Sequence, residues 1–174
     1  MSEQKLCMVD IETLATTPDA KIISIGAVDV YGGSWFYEPI DTNYFSQGQR
    51  KEDTETLDWW EKQQTRRPDF YATKALATVL GYFIEWYKEQ KFTEVWCRGT
   101  DFDITILTHA FKFYKFETPW KYNEVRDLRT LVKVFPNIEF PIKYKVHHAL
   151  IDAIAQSEHL KRILSKIEMW KSSQ

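Results

Sequence analysis

Asp10 and Glu12 stand two residues apart at the end of the apolar run KLCMVDIE. At that spacing on a β-strand both side chains leave the same face, so the two carboxyl groups point together. Like charges held side by side raise each other's pKa and resist desolvation. A divalent cation between them removes that cost; so does a strand that has ended and left both acids in water. Asp103, just past GTDF, begins a helix at the carboxyl end of a predicted strand, where it can face the same cation or act as a helix N-cap. Asp101 is near but of opposite phase. Asp152, in HHALIDAIAQSEHL, sits between Ile151 and Ala153, with His147 five residues before it. A carboxylate in the first turns of a helix gains from the macrodipole, but its apolar neighbours argue for a partner of another kind. His147 and His148 can be loop residues or zinc ligands. The two cysteines show no paired ligand spacing, which argues against zinc.

These residues need a folded frame, and the composition allows one. The 174 residues suit a single domain, 44% hydrophobic, 16% aromatic and 28% charged, which sets disorder aside. Net charge is −2, so no global positive field draws in a polyanion, and local basic patches or bound cations would have to do so. Cys7 and Cys97 fall in predicted buried strands and read as reduced core residues, which points to the cytoplasm. No run approaches ~18 apolar residues and the amino terminus lacks a leader pattern, so no membrane span is expected.

The first strand is followed by strands over 22–30 and 34–40, separated by the turn YGGS, which makes an antiparallel meander. Residues 41–53 read as a loop, and TETLDWWEKQQTRR as a helix that Pro68 closes. Leu76, Val79, Leu80, Phe83, Ile84 and Tyr87 recur at helical spacing. A buried strand over 94–98 passes through GTDF into a helix marked by Ile104, Leu107, Phe111 and Tyr114, which is βα architecture. YNEVR (122–126) reads as a fifth strand, DLRTLVKVF as a short helix and 136–145 as an irregular loop. The last helix carries the stripe Leu150, Ala153, Ser157, Leu160, Leu164 and Ile167.

Three ordered motifs resemble the DEDDh 3'-5' exonucleases: Asp10-Ile11-Glu12-Thr13 as D-x-E-T, Gly99-Thr100-Asp101-Phe102-Asp103 as the second motif, and His147 through Asp152 as H-x4-D. The tyrosine class would place Tyr at position 148, which is His here, so the histidine class is favoured. PDAKIISIGAV, TLDWWEKQ, GTDFD and RDLRTL look most like phage DNA exonuclease A proteins and related small bacterial exoribonucleases. The chain departs from the wider family at Gly99, commonly Asn. The resemblance implies an α/β, ribonuclease H-like fold: a mixed five-stranded sheet, three strands in a meander and two parallel, flanked by helices.

It also implies that Asp10, Glu12, Asp103 and Asp152 hold two Mg²⁺ or Mn²⁺ ions roughly 3.5–4 Å apart, with Asp10 as the bridge. His147 would be the general base, carried into the site by the preceding loop when substrate is present. The implied reaction removes nucleoside 5'-monophosphates from the free 3' end of single-stranded DNA or RNA. Lys143 and Lys145 can meet phosphates or remain solvated. Trp59 and Trp60 are adjacent on a helix and cannot both face one core, so they are candidates for stacking on bases; alternatively one is buried and the other covers a loop. Thr13 could position the terminal nucleotide. Arg126 and Arg129 flank the fifth strand and can contact phosphate or form ion pairs. Trp35, Trp86 and Trp96 read as packing residues, and oligomerisation is open. Two rival readings stand beside the enzyme: a catalytically inactive nucleic-acid- or partner-binding module on the same fold, and a plain α/β interaction protein.

Overall fold

A computed structural model describes residues 5–63, 66–141 and 147–172. Five strands, β1 (Leu6–Thr13), β2 (Ile22–Asp29), β3 (Trp35–Pro39), β4 (Glu94–Cys97) and β5 (Val125–Asp127), form one sheet in the order β3-β2-β1-β4-β5. The first three are antiparallel neighbours, and β4 and β5 run parallel to β1. The helices are α1 (Tyr44–Gln47), α2 (Thr54–Glu61), α3 (Leu76–Gln90), α4 (Asp103–Phe113), α5 (Leu128–Val134) and α6 (Ala149–Lys171). The expected mixed five-stranded sheet flanked by helices is the one found.

β1 is apolar almost throughout because both of its faces are covered. Cys7, Val9 and Ile11 face a core shared with Leu80 and Phe83 of α3 and Leu107 and Phe111 of α4. Leu6 and Met8 face the other way, onto Val28, Trp96 and the Ala153, Leu160 and Ile163 stripe of α6. The period of two carries Asp10 and Glu12 onto this second face, toward the start of α6.

Several expectations are corrected. The segment 41–53 contains α1, capped by the Asn43 side chain, which accepts from Ser46 N at 2.8 Å. Buried Gln47 then accepts from Ile22 N at 3.0 Å and donates to Ile22 O at 2.6 Å, standing in for a strand partner. A four-residue helix held by one amide leaves no apolar period to read. α2 stops at Glu61, well short of Pro68, which opens a 3-10 turn instead. β5 begins at Val125 and includes Asp127, because Val95 to Cys97 of β4 supply its partners; Tyr122–Glu124 is a 3-10 turn. Trp35 is 61% exposed, since β3 is an edge strand on which Phe36 takes the inward position. Trp96 is buried, and Trp86 is half-buried with its Nε1 donating to Ser34 Oγ at 2.9 Å. Cys7 and Cys97 are free and buried, as expected. Among the described residues no helix is long and apolar enough to cross a membrane.

Candidate active site

β4 pairs with β1 only as far as Met8. The backbone of β1 beyond that point lacks a strand on this side and must find other partners. Ile11 N donates to Asp103 Oδ1 at 3.2 Å, which ties the first residue of α4 to the backbone between Asp10 and Glu12. The register shifts between Glu12 and Thr13, an irregularity that re-aims the strand end.

α6 approaches from the opposite side. Gly26 lies directly across from Asp10 on β2. A Cβ there would come within 2.2 Å of Ala149 C and Leu150 N, so the first turn of α6 rests on bare backbone. That seat brings Asp152 to the carboxylates of β1. Its Oδ2 accepts from His148 N at 3.1 Å, and ligand atoms of Glu12, His147 and Asp152 lie within 4.8 Å of one another. One turn further along α6, Gln156 Nε2 donates to Asp10 Oδ1 at 2.7 Å.

Burial makes this cluster reluctant to ionise. It pushes Asp10 well above the usual carboxylate range, and Asp103, Glu12 and Asp152 add to the rise while the Gln156 donor opposes it. Glu12 is pushed up to about 8 by burial and by the charges of Asp152 and Asp103. Asp103 rises to about 7, again chiefly by burial, with the Ile11 N–H and the Arg129 charge among the influences pulling it down. Crowded carboxyl groups that retain protons, with an imidazole beside them, fit a hard divalent cation: its charge can replace the protons, and the donors are mostly oxygen.

His147 has a left-handed backbone (φ 49) and lies with Glu12 and Asp152. Its ring meets Trp59 edge-on at 4.5 Å. His148 turns away and stacks on Tyr37 at 4.4 Å. Trp59 is 39% exposed and Trp60 only 3%, with Trp60 Nε1 donating to Thr13 O at 2.9 Å. Both line a pocket of about 320 Å³ with Glu12, Thr13, Glu55 and Phe102. The Thr13 hydroxyl donates to Ala15 O at 2.7 Å, which leaves it only as an acceptor toward a ligand. Lys143 and Lys145 lie outside the described residues.

Sequence reasoning missed Gly26, Gln156, Glu55 and Phe102. Gln156 could have been found, because it follows Asp152 by four residues and so shares its helix face. Gly26 carries no such signal, since its role comes from the β1–β2 register.

The model of the Rv2179c-like 3'-5' exoribonuclease domain matches residues 5–164. Among solved structures, E. coli Exonuclease I in complex with a dT13 oligonucleotide is 12% identical and covers 98% of this chain and 43% of its own, with a TM-score of 0.73. The zinc-bound form of the E. coli Exonuclease I complex with single-stranded DNA is 13% identical, covering 95% and 41%, at a TM-score of 0.72. Exonuclease I from Methylocaldum szegediense is 14% identical, covering 94% and 40%, at a TM-score of 0.68. The chain therefore spans less than half the length of these structures, and the likeness is one of fold, the ribonuclease H-like arrangement expected above. No curated protein sequence matches.

Two outcomes follow from this geometry. Between pH about 4.5 and about 8, folded Glu12 keeps a proton that the unfolded chain has released, and Asp103 does so up to about 7. Raising pH through that window therefore removes stability from the metal-free protein. Its thermal midpoint, contributed to by this cluster, is expected to fall from pH 5.5 to 8.5, with Mn²⁺ raising it most at the alkaline end; a Mn²⁺ shift that shrinks with pH would contradict these protonation states. Gly26→Ala should displace the start of α6, weakening Mn²⁺ binding more than tenfold in calorimetric titration and costing about 1–3 kcal/mol of unfolding free energy. Unchanged values for both would mean that α6 does not depend on this seat.

Proposed function

Because the chain belongs to the Rv2179c-like 3'-5' exoribonuclease domain family, we propose that it removes nucleotides stepwise from the free 3' end of single-stranded RNA or DNA. The products are nucleoside 5'-monophosphates, and one exonuclease domain spans residues 1–174. The observation that carries this reading is the meeting of Glu12, His147 and Asp152 within 4.8 Å, beside Asp10 and Asp103, at one end of the sheet.

Asp10, Glu12, Asp103 and Asp152 would hold two Mg²⁺ or Mn²⁺ ions. When bound, such ions supply positive charge against the phosphodiester and acidify the attacking water. Gln156 keeps Asp10 oriented through its Nε2 donor. The Ile11 N–H does the same for Asp103. His147 accepts the proton of the attacking water as the bond to the 3' oxygen breaks, and its ring is steadied by the edge contact with Trp59. The terminal nucleotide occupies the pocket over Thr13 and Trp59, with Trp60 as its buried support. Trp59, the exposed member of the pair, offers the stacking surface. Lys145 meets the phosphate backbone. We assign the activity to the cytoplasm on the two cysteines that stay free and buried.

The test uses 3'-labelled and 5'-labelled single strands of RNA and DNA. Stepwise shortening from the 3' end is expected with Mn²⁺ or Mg²⁺ and none with EDTA, and the four strands together reveal the preferred sugar. Asp10→Ala and Asp103→Asn should each lose about 10³-fold or more in rate while remaining folded; parental rates in either would remove that residue from the site. His147→Ala is expected to lose roughly 10²- to 10⁴-fold in kcat with strand affinity kept. Lost affinity at an unchanged kcat would instead make His147 a substrate contact.

A further inference from the structure

Arg129 is the second residue of α5, and its backbone N donates to Asp127 Oδ1 at 2.7 Å. Asp127 also accepts from Thr100 N at 3.4 Å, which ties the start of α5 to the turn between β4 and α4. In that turn Gly99 adopts φ +128 and has no side chain, and the Arg129 guanidinium lies over it. A Cβ on Gly99 would stand 3.0 Å from Arg129 Cζ and Nη2 and 3.1 Å from Nη1. The position where the wider family commonly carries Asn here makes room for an arginine from another element.

This guanidinium is weakly engaged. Its ion pair with Asp101 spans 3.9 Å between side chains 64% and 83% exposed, a contact of little energetic value. Other arginines are engaged elsewhere: Arg126 pairs with Glu94 at 2.9 Å, Arg98, beside Gly99, lies over the Phe140 ring at 4.9 Å, Arg67 pairs with Asp69 at 2.7 Å, and Arg50 donates to Ala20 O. Arg129 is close enough to Asp103 to act on its carboxyl. It thus presents several unfilled N–H donors at the rim of an acidic cluster. The pocket over Thr13 and Trp59 lies at the end of β1 and is built partly by α2, whereas Arg129 stands off the ends of β4 and β5.

From this arrangement we infer that Arg129 binds a backbone phosphate of the strand upstream of the scissile one, as the substrate passes from the β5 side, over the carboxylates, to the terminal pocket. The inference rests on the exonuclease reading above. An acidic protein that repels polyanions needs such a cation beside its cluster, and a planar guanidinium can meet a phosphate with two parallel donors. Arg129 is then a specificity-determining residue that favours a strand over a single nucleotide ester.

The test compares Arg129→Gln and Arg129→Lys with the parent on two substrates: a single-stranded 12-mer and the p-nitrophenyl ester of a nucleoside 5'-monophosphate, which has no upstream phosphate. Arg129→Gln is expected to raise KM for the 12-mer roughly tenfold, to do so at least fivefold more than for the ester, and Arg129→Lys should recover part of the loss. In Ca²⁺, with cleavage suppressed, the slope of log affinity against log salt for the strand should fall by about one. Equal losses on both substrates, or an unchanged salt slope, would overturn the proposal and leave Arg129 acting on Asp103 alone. A parent that cleaves neither substrate would contradict the exonuclease reading, and the salt slope would still decide whether Arg129 meets phosphate.

Discussion

The cost of burying crowded carboxyl groups, to which their mutual repulsion adds, is the constraint around which this end of the protein is organised. Asp10, Glu12, Asp103 and Asp152 come from three separate stretches of chain and act on one another electrically across a volume with little water. Unpaired, fully ionised acids in such a place would cost several kcal/mol each, so Asp10, Glu12 and Asp103 hold their protons to higher pH. A bound dication would serve the same end. Protonation and ion binding are therefore two ways of meeting one electrostatic demand that folding creates, which links the stability of the fold to the chemistry at its rim.

The scaffold answers this demand with donors as well as with protons. Ile11 N–H reaches Asp103, His148 N–H reaches Asp152, and the Gln156 amide reaches Asp10. The two backbone donors exist because a regular pattern stops or starts there, the β1–β4 ladder stopping at Met8 and α6 starting at Ala149, whereas Gln156 is carried to Asp10 by the regular turn of α6. The ends of secondary structure leave backbone groups without partners, and here side-chain carboxylates take them up. Packing supplies the rest, since α6 can lie this low only over the bare backbone of Gly26.

Around that centre the surface divides by chemistry. Aromatic side chains and Thr13 line a pocket on the α2 side, and a weakly paired guanidinium stands on the β5 side. A polyanion approaching a protein of net charge −2 meets little general attraction. In the proposed function that recruitment would fall to local features: cations at the cluster, the arginine at its rim and the flat face of Trp59. This division accounts for how a mildly acidic chain on a ribonuclease H-like frame could select a strand with an end.

The local patterns were legible without a structure. The two-residue spacing of Asp10 and Glu12, the stripe along α6, the meander, and the βα passage into Asp103 all depend on periods of two or 3.6 that the chain carries within itself. Those periods left the acids open to solvated or capping roles, and it was the resemblance of the three motifs that singled them out as candidates and implied the mixed five-stranded sheet. Tertiary structure alone decided which partner each residue meets. It buried Trp60 and left Trp59 beside His147, exposed Trp35 on an edge, committed Arg126 to Glu94 while leaving Arg129 over Gly99, and made Gly26 the seat of α6. Those outcomes follow from strand register and helix docking, which join residues from about thirty to more than a hundred positions apart and leave no trace in the spacing of neighbours.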